Sequence, residues 1–113
     1  MHELSLAQAI AETTARHAAD RPVAEVHVRI GHLRQVVPDA LEFAWTLLVE
    51  DSTLDGARLV IEHVPAVVSC SRCRAHTSLD LPVLVCATCG GSDVIVESGD
   101  EFTIQSIDVA EVA

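Results

Sequence analysis

Four cysteines fall as Cys70-x2-Cys73-x12-Cys86-x2-Cys89, and the chain has no others. Two Cys-x-x-Cys hairpins at this separation can place four thiolates on a tetrahedron of the size Zn(II) prefers. The second hairpin runs on into Gly90-Gly91, where glycine tolerates the positive φ of a tight turn around a bound sulfur. The first continues as Arg74-Ala75 and lacks that glycine. Two disulfides are the rival reading, but they need an oxidising compartment. The opening Met-His-Glu-Leu-Ser has neither a basic n-region nor a continuous apolar stretch. The spacing therefore reads as a zinc ribbon with Cys70, Cys73, Cys86 and Cys89 as zinc ligands. Four protein ligands leave zinc no open position for a substrate, so this metal holds structure.

A different chelate stands at the start of the sequence, Met1-His2-Glu3. The Met1 amine, the deprotonated His2 backbone nitrogen and the His2 imidazole can occupy three corners of a square. Glu3, water or another group is left for the fourth. Square-planar nitrogen coordination selects Ni(II) or Cu(II) over Zn(II), whose filled d shell has no such preference. The ordinary alternative is that Glu3 opens a helix as an acid favoured by the dipole. On these residues alone both readings stand.

The remaining candidates read as structural. His27 and His63 are expected to face solvent on strands, His17 and His32 to lie on the surface, and His76 to stand as a bystander after the first knuckle. Asp39 and Glu42 suit the start of a helix, and Trp45 belongs to an apolar stripe. The sequence has no glycine-rich phosphate loop, nucleophile elbow or catalytic histidine constellation, so the chain reads as a non-enzyme.

At 113 residues the chain is one domain, or one small domain with an insertion. No apolar run approaches the roughly 18 residues needed to span a bilayer, so no membrane partner is expected. The formal charge is −10, and zinc on four thiolates would add about −2 more. All seven basic residues are arginines, and only Arg72 and Arg74 lie close together. Phosphate backbones would repel such a chain, which argues against nucleic acid.

The elements follow from periodicity. From Glu3 to about Ala19, apolar residues at Leu4, Ala7, Ile10 or Ala11, Thr14 and Ala18 predict an amphipathic helix ended by Arg21-Pro22. Alternation over Val23 to Ile30 predicts a half-buried strand. A second helix opens near Pro38 and ends near Glu50-Asp51, with Leu41, Ala44, Trp45 and Leu48 as its stripe, widened by Phe43 and Leu47. Arg58 to Val64 predicts a strand followed by Pro65. Within the ribbon, Thr77–Leu79, Val83–Val85 and Val94–Val96 are the expected strands. Phe102 to Val109 reads as a strand again, with a phase shift and bulge near Ser106-Ile107. The resulting fold class is α+β, a small three-stranded sheet with two helices plus an inserted zinc-ribbon module. Its expected domains are a discontinuous α/β domain, 1–66 and 98–113, and the ribbon, 67–97.

The opening Met1-His2-Glu3-Leu4-Ser5-Leu6 and the paired Cys70/Cys73 and Cys86/Cys89 hairpins resemble the HypA/HybF family of hydrogenase nickel-incorporation metallochaperones. So do Val28-Arg29-Ile30-Gly31-His32-Leu33 and Val37-Pro38-Asp39-Ala40-Leu41-Glu42-Phe43-Ala44. The segments Leu59-Val60-Ile61-Glu62 and Gly99-Asp100-Glu101-Phe102 extend the match over nearly the whole chain, in the family's order. The resemblance implies an α/β domain that holds Ni(II) at His2 with the N-terminal backbone and Glu3, while the four cysteines hold zinc. It further implies nickel delivery to the [NiFe]-hydrogenase large subunit, in some organisms also to urease. A GTPase partner, monomers or dimers, and a cytoplasmic setting belong to the same picture. Arg74 departs from the glycine often found after the first hairpin. The competing functions are a zinc-ribbon interaction adaptor without nickel and an iron-bearing, rubredoxin-like electron carrier.

Overall fold

A computed structural model describes residues 2–110. Its elements are α1 (His2–Ala18), β1 (Val23–Gly31), a 3-10 turn (His32–Arg34), α2 (Pro38–Val49), β2 (Arg58–Val64), β3 (Ala66–Cys70), β4 (His76–Leu79), β5 (Val94–Ser98) and β6 (Phe102–Val109). Strands order as β2-β1-β6 in one sheet and β4-β3-β5 in another. The contacts divide the chain into two compact units. One holds the chain up to Val28, Val36–Glu62 and the chain from Thr103; the other holds Arg29–Gln35 and His63–Phe102.

In the first unit α1 packs on α2. Ala7, Ile10, Thr14 and Ala18 recur at helical spacing and are buried. Leu4, expected on the same stripe, is 50% exposed. Pro38 takes the first turn of α2, where its missing N–H costs nothing, and Leu41, Ala44, Trp45 and Val49 turn inward. Phe43 and Leu47 do not widen this stripe; they sit on the far side of the helix, 65% and 55% exposed. The Trp45 indole Nε1–H donates to the Ala57 carbonyl at 2.8 Å, which satisfies the one polar atom of a buried ring.

The β1 and β6 strands run antiparallel: Ala110 N–H donates to Pro22 O at 2.8 Å, and Gly31 N–H donates to Glu101 O at 2.7 Å. The expected phase shift is present, since burial in β6 passes from Ile104 to Ile107. A matching slip occurs in β1 between Val23 and Val26. Beyond it Val26, Val28 and Ile30 point into the core while Glu25 and His27 take the other face.

In the second unit β3 is the central strand, antiparallel to both β4 and β5. Sequence reading stopped the preceding strand at Pro65 and assigned none to 66–70. Proline has no N–H for a ladder, yet here it only separates β2 from β3, and Ser98 Oγ donates to its carbonyl at 2.9 Å. Conversely, Val83–Val85 is not a strand. Pro82 removes a donor, no ladder neighbours the segment, and Val83 and Val85 are 54% and 38% exposed. Its amides instead bond two residues back, Val83 N to Leu81 O and Val85 N to Val83 O. The 3-10 segment docks on the turn before β6, with Leu33 N–H on Gly99 O at 2.7 Å. A Cβ on Gly31 would lie 2.0 Å from Gly99 O, so this approach of two backbones admits no side chain.

Candidate metal centres

Each cysteine hairpin closes with the same two hydrogen bonds. In the first, Cys70 N–H donates to Ala75 O at 2.9 Å and Arg74 N–H to Cys70 O at 2.9 Å. In the second, Cys86 N–H donates to Gly91 O and Gly90 N–H to Cys86 O, both at 2.8 Å. The residue after each second cysteine is left-handed, Arg74 with φ +63° and Gly90 with φ +72°. Arg74 thus adopts the same left-handed backbone as Gly90, and the first knuckle is closed as tightly as the second. The strain is carried by an L-residue in a region that favours glycine.

The hairpins bring all four sulfurs together. Cys70 Sγ lies 3.7 Å from Cys89 Sγ, and Cys73 Sγ 3.5 Å from Cys86 Sγ. All four are free thiols, far outside bonding distance. With Zn–S bonds of about 2.3 Å, a tetrahedron has edges of about 3.8 Å, so the cluster fits zinc with little adjustment. Cys70 and Cys86 are buried, whereas Cys73 and Cys89 reach the surface.

The backbone prepares these ligands unequally. The Cys89 N–H, followed by that of Thr88, holds the Cys86 thiol down to about 6. The N–H groups of Cys73 and Arg72 lower Cys70 in the same way. At Cys73 the Ala75 N–H favours the thiolate, but the Cys86 sulfur, burial and the other two sulfurs outweigh it and push the thiol up to about 11. Crowding four sulfurs without a cation therefore leaves at least one proton among them, and a divalent metal removes that repulsion.

At the start of the chain, His2 is exposed on the first turn of α1, and Met1 lies outside the described residues. The first N–H groups of a helix have no partner within it, so the His2 amide is not committed to the helix ladder. Glu3 Oε2 accepts from Val37 N–H at 3.4 Å, which draws the start of α2 toward that of α1. This hydrogen bond is the main reason its carboxyl is held below the usual range. Among the described residues, His2 and Glu3 do not converge with a third metal-ligating side chain. The expected chelate is built from backbone and imidazole and does not require one.

The other histidines are placed more specifically than their sequence positions suggest. His32 Nε2–H donates to Asp80 O at 2.6 Å, and its Nδ1 lies 3.1 Å from His63 Nε2. His76 is exposed at the start of β4, opposite Ser69. His27 lies between two carboxylates, Glu25 and Asp108.

Comparison with known proteins gives this arrangement its context. The family model described as hydrogenase/urease nickel incorporation, metallochaperone, hypA matches residues 1–109. The hydrogenase maturation factor HypA of Geotalea uraniireducens is 41% identical over 109 residues, covering 96% of this chain and 99% of the relative. That of Geobacter metallireducens is 38% identical over the same shares. The solution structure of the Ni metallochaperone HypA from Helicobacter pylori superposes with a TM-score of 0.67 at 23% identity, covering 96% and 97% of the two chains, which shows the fold. A four-thiolate cluster of zinc dimensions, a two-helix unit beginning at His2 and a family match along the whole sequence agree. The chain belongs to the hydrogenase and urease nickel-incorporation metallochaperones and is a nickel-binding hydrogenase maturation factor with a structural zinc site.

Proposed function

We propose that this chain carries Ni(II) on the Met1 amine, the His2 amide nitrogen and the His2 imidazole, with Glu3 beside them, and releases it to the [NiFe]-hydrogenase large subunit. The observation that supports the site most directly is the start of α1 at His2, whose amide nitrogen lies in a helix's unpartnered first turn. Losing that proton breaks no helix hydrogen bond, and the exposed imidazole can swing over the same metal. A terminal chelate also has an open edge. A ligand of the receiving protein can enter there before the donor's nitrogens leave, so the ion is never free in solution.

Zinc does different work. Cys70, Cys73, Cys86 and Cys89 would enclose it completely, so it supplies folding free energy to a short segment that cannot bury an adequate core unaided. A GTPase maturation partner, a homodimeric form, a cytoplasmic setting and service to urease extend the proposal by family membership. The test is a Ni(II) titration of tag-free protein with its native N-terminus beside His2→Ala, read by calorimetry and visible absorption. A square-planar band lost in the variant while zinc is retained supports the reading. Equal, weak binding by both proteins would overturn it.

A further inference from the structure

Glu25, His27 and Asp108 meet on the outer face of the three-stranded sheet, in the unit that carries α1 and α2. Two come from β1 at alternate positions and the third from β6, 81 residues away from His27 in sequence. His27 Nε2 is 3.0 Å from Asp108 Oδ2 and 3.3 Å from Glu25 Oε1. All three donor atoms lie within 4.8 Å of one another. Donors bound at about 2.1 Å to one metal are about 3.0 Å apart along an octahedral edge and about 3.4 Å along a tetrahedral one. The two measured separations fall in that interval.

The chemistry of the cluster points the same way. One imidazole nitrogen faces two carboxylate oxygens, and its single proton can be aimed well at only one of them. A cation in the proton's place is shared by all three donors. The other oxygen of Glu25 lies 3.8 Å from Arg58 Nε on β2, so Oε2 is drawn aside and Oε1 is left toward His27. Such outer contacts orient a ligating carboxylate. His27 and Glu25 are each two-thirds covered, which limits their freedom before any ion arrives.

We propose that Glu25, His27 and Asp108 form an additional site for a divalent first-row transition cation, separate from the terminal chelate and the four thiolates. One nitrogen and two oxygens leave room for water, and this donor set follows the usual order of divalent affinities, with Ni(II) and Zn(II) far above Mg(II). Bound there, the ion would cross-link β1 to β6. The site's geometry is octahedral or tetrahedral, so nickel in it is paramagnetic, unlike square-planar nickel at the terminus.

That difference supplies the test. Zinc-loaded His2→Ala protein is titrated with Ni(II) alone and followed by amide NMR, with His2→Ala/His27→Gln and His2→Ala/Asp108→Asn beside it and Mg(II) as the control ion. The expected result is broadening centred on residues around 25–27 and 107–109 and on their β2 neighbours near Arg58, and apparent affinity falling at least about tenfold in each double variant, since even outer-shell changes cost 10–100-fold. Unchanged spectra away from the substituted residues and full zinc content show that the variants remain folded. Absence of local broadening, or broadening indifferent to both substitutions, overturns the proposal and leaves an ion pair between strands. Neither result bears on the terminal chelate, which is read from the diamagnetic nickel band of native protein.

Discussion

Replacing Arg74 by glycine should strengthen the zinc module, and the size of the gain follows from the backbone. Arg74 sits at φ +63°, in the left-handed region where an L-residue is about 1–2 kcal/mol above its preferred conformations. Glycine removes that cost but adds about 0.5–1 kcal/mol of unfolded-chain entropy. The net gain is about 0.5–1 kcal/mol. Zinc binding and ordering of the knuckles are one event, so this gain appears as zinc affinity about 2- to 5-fold tighter. The reciprocal change is Gly90→Ala at φ +72°, where an added Cβ meets nothing within 4 Å. Its cost is therefore purely conformational, of similar size and opposite sign. Both variants would be measured by competition against a chromophoric chelator, with the double variant as an additivity check. Tighter binding by Arg74→Gly and weaker binding by Gly90→Ala are the expected outcomes. If Arg74→Gly bound zinc no better, the left-handed arginine would not be a source of strain, and the equivalence of the two knuckles would fail.

Two further outcomes rest on separate features. Gly31→Ala must push backbone against backbone at Gly99, because its Cβ would lie 2.0 Å from that carbonyl oxygen; overpacking of this kind costs about 1–3 kcal/mol, and denaturant unfolding of zinc-loaded protein should show at least that loss. Zinc binding at pH 7 should release fewer than four protons, since the Cys86 thiol, held at about 6, is already mostly thiolate while Cys73, at about 11, still carries its proton. As pH falls through 6, Cys86 takes up a proton and its contribution to affinity is lost. The dependence of affinity on pH should therefore steepen on the acid side. Calorimetry in two buffers of different ionisation heat counts the protons; a full four at pH 7 would contradict the unequal preparation of the sulfurs.

What sequence could reveal here depended on how far apart the cooperating residues lie along the chain. The cysteine hairpins are local, so spacing alone pointed to a four-cysteine zinc site, and the structure clusters those sulfurs at separations that fit one. The helices were legible for a related reason: Ala7, Ile10, Thr14 and Ala18 repeat their period within four turns. The errors fall where tertiary context overrides local pattern. Val83–Val85 is an apolar run too short to distinguish a strand from a loop and finds no ladder, whereas Ala66–Cys70 pairs on both sides despite the proline before it. Phe43 and Leu47 carry apolar side chains on a helix face that the fold leaves open, so composition placed them in the core wrongly.

The same logic separates the metal sites. The proposed terminal chelate uses consecutive atoms of one short segment, so Met1-His2-Glu3 could suggest it without any fold. The cluster at Glu25, His27 and Asp108 needs a sheet register, and neither strand alone contains it. Simple alternation put His27 on the solvent face, which was correct, but could not say that the neighbouring strand would present a carboxylate 3.0 Å from its ring. The slips in β1 and β6 keep these polar residues on one side of the sheet while Val26 and Val28 remain buried. Changing that register by one residue would turn Asp108 away and disperse the three donors, with no ligand mutated. A residue inserted into β6 before Ser106 should therefore abolish local nickel broadening at this face while leaving all four thiolates loaded with zinc. Persistence of the broadening in such a variant would mean that the cluster does not depend on strand pairing.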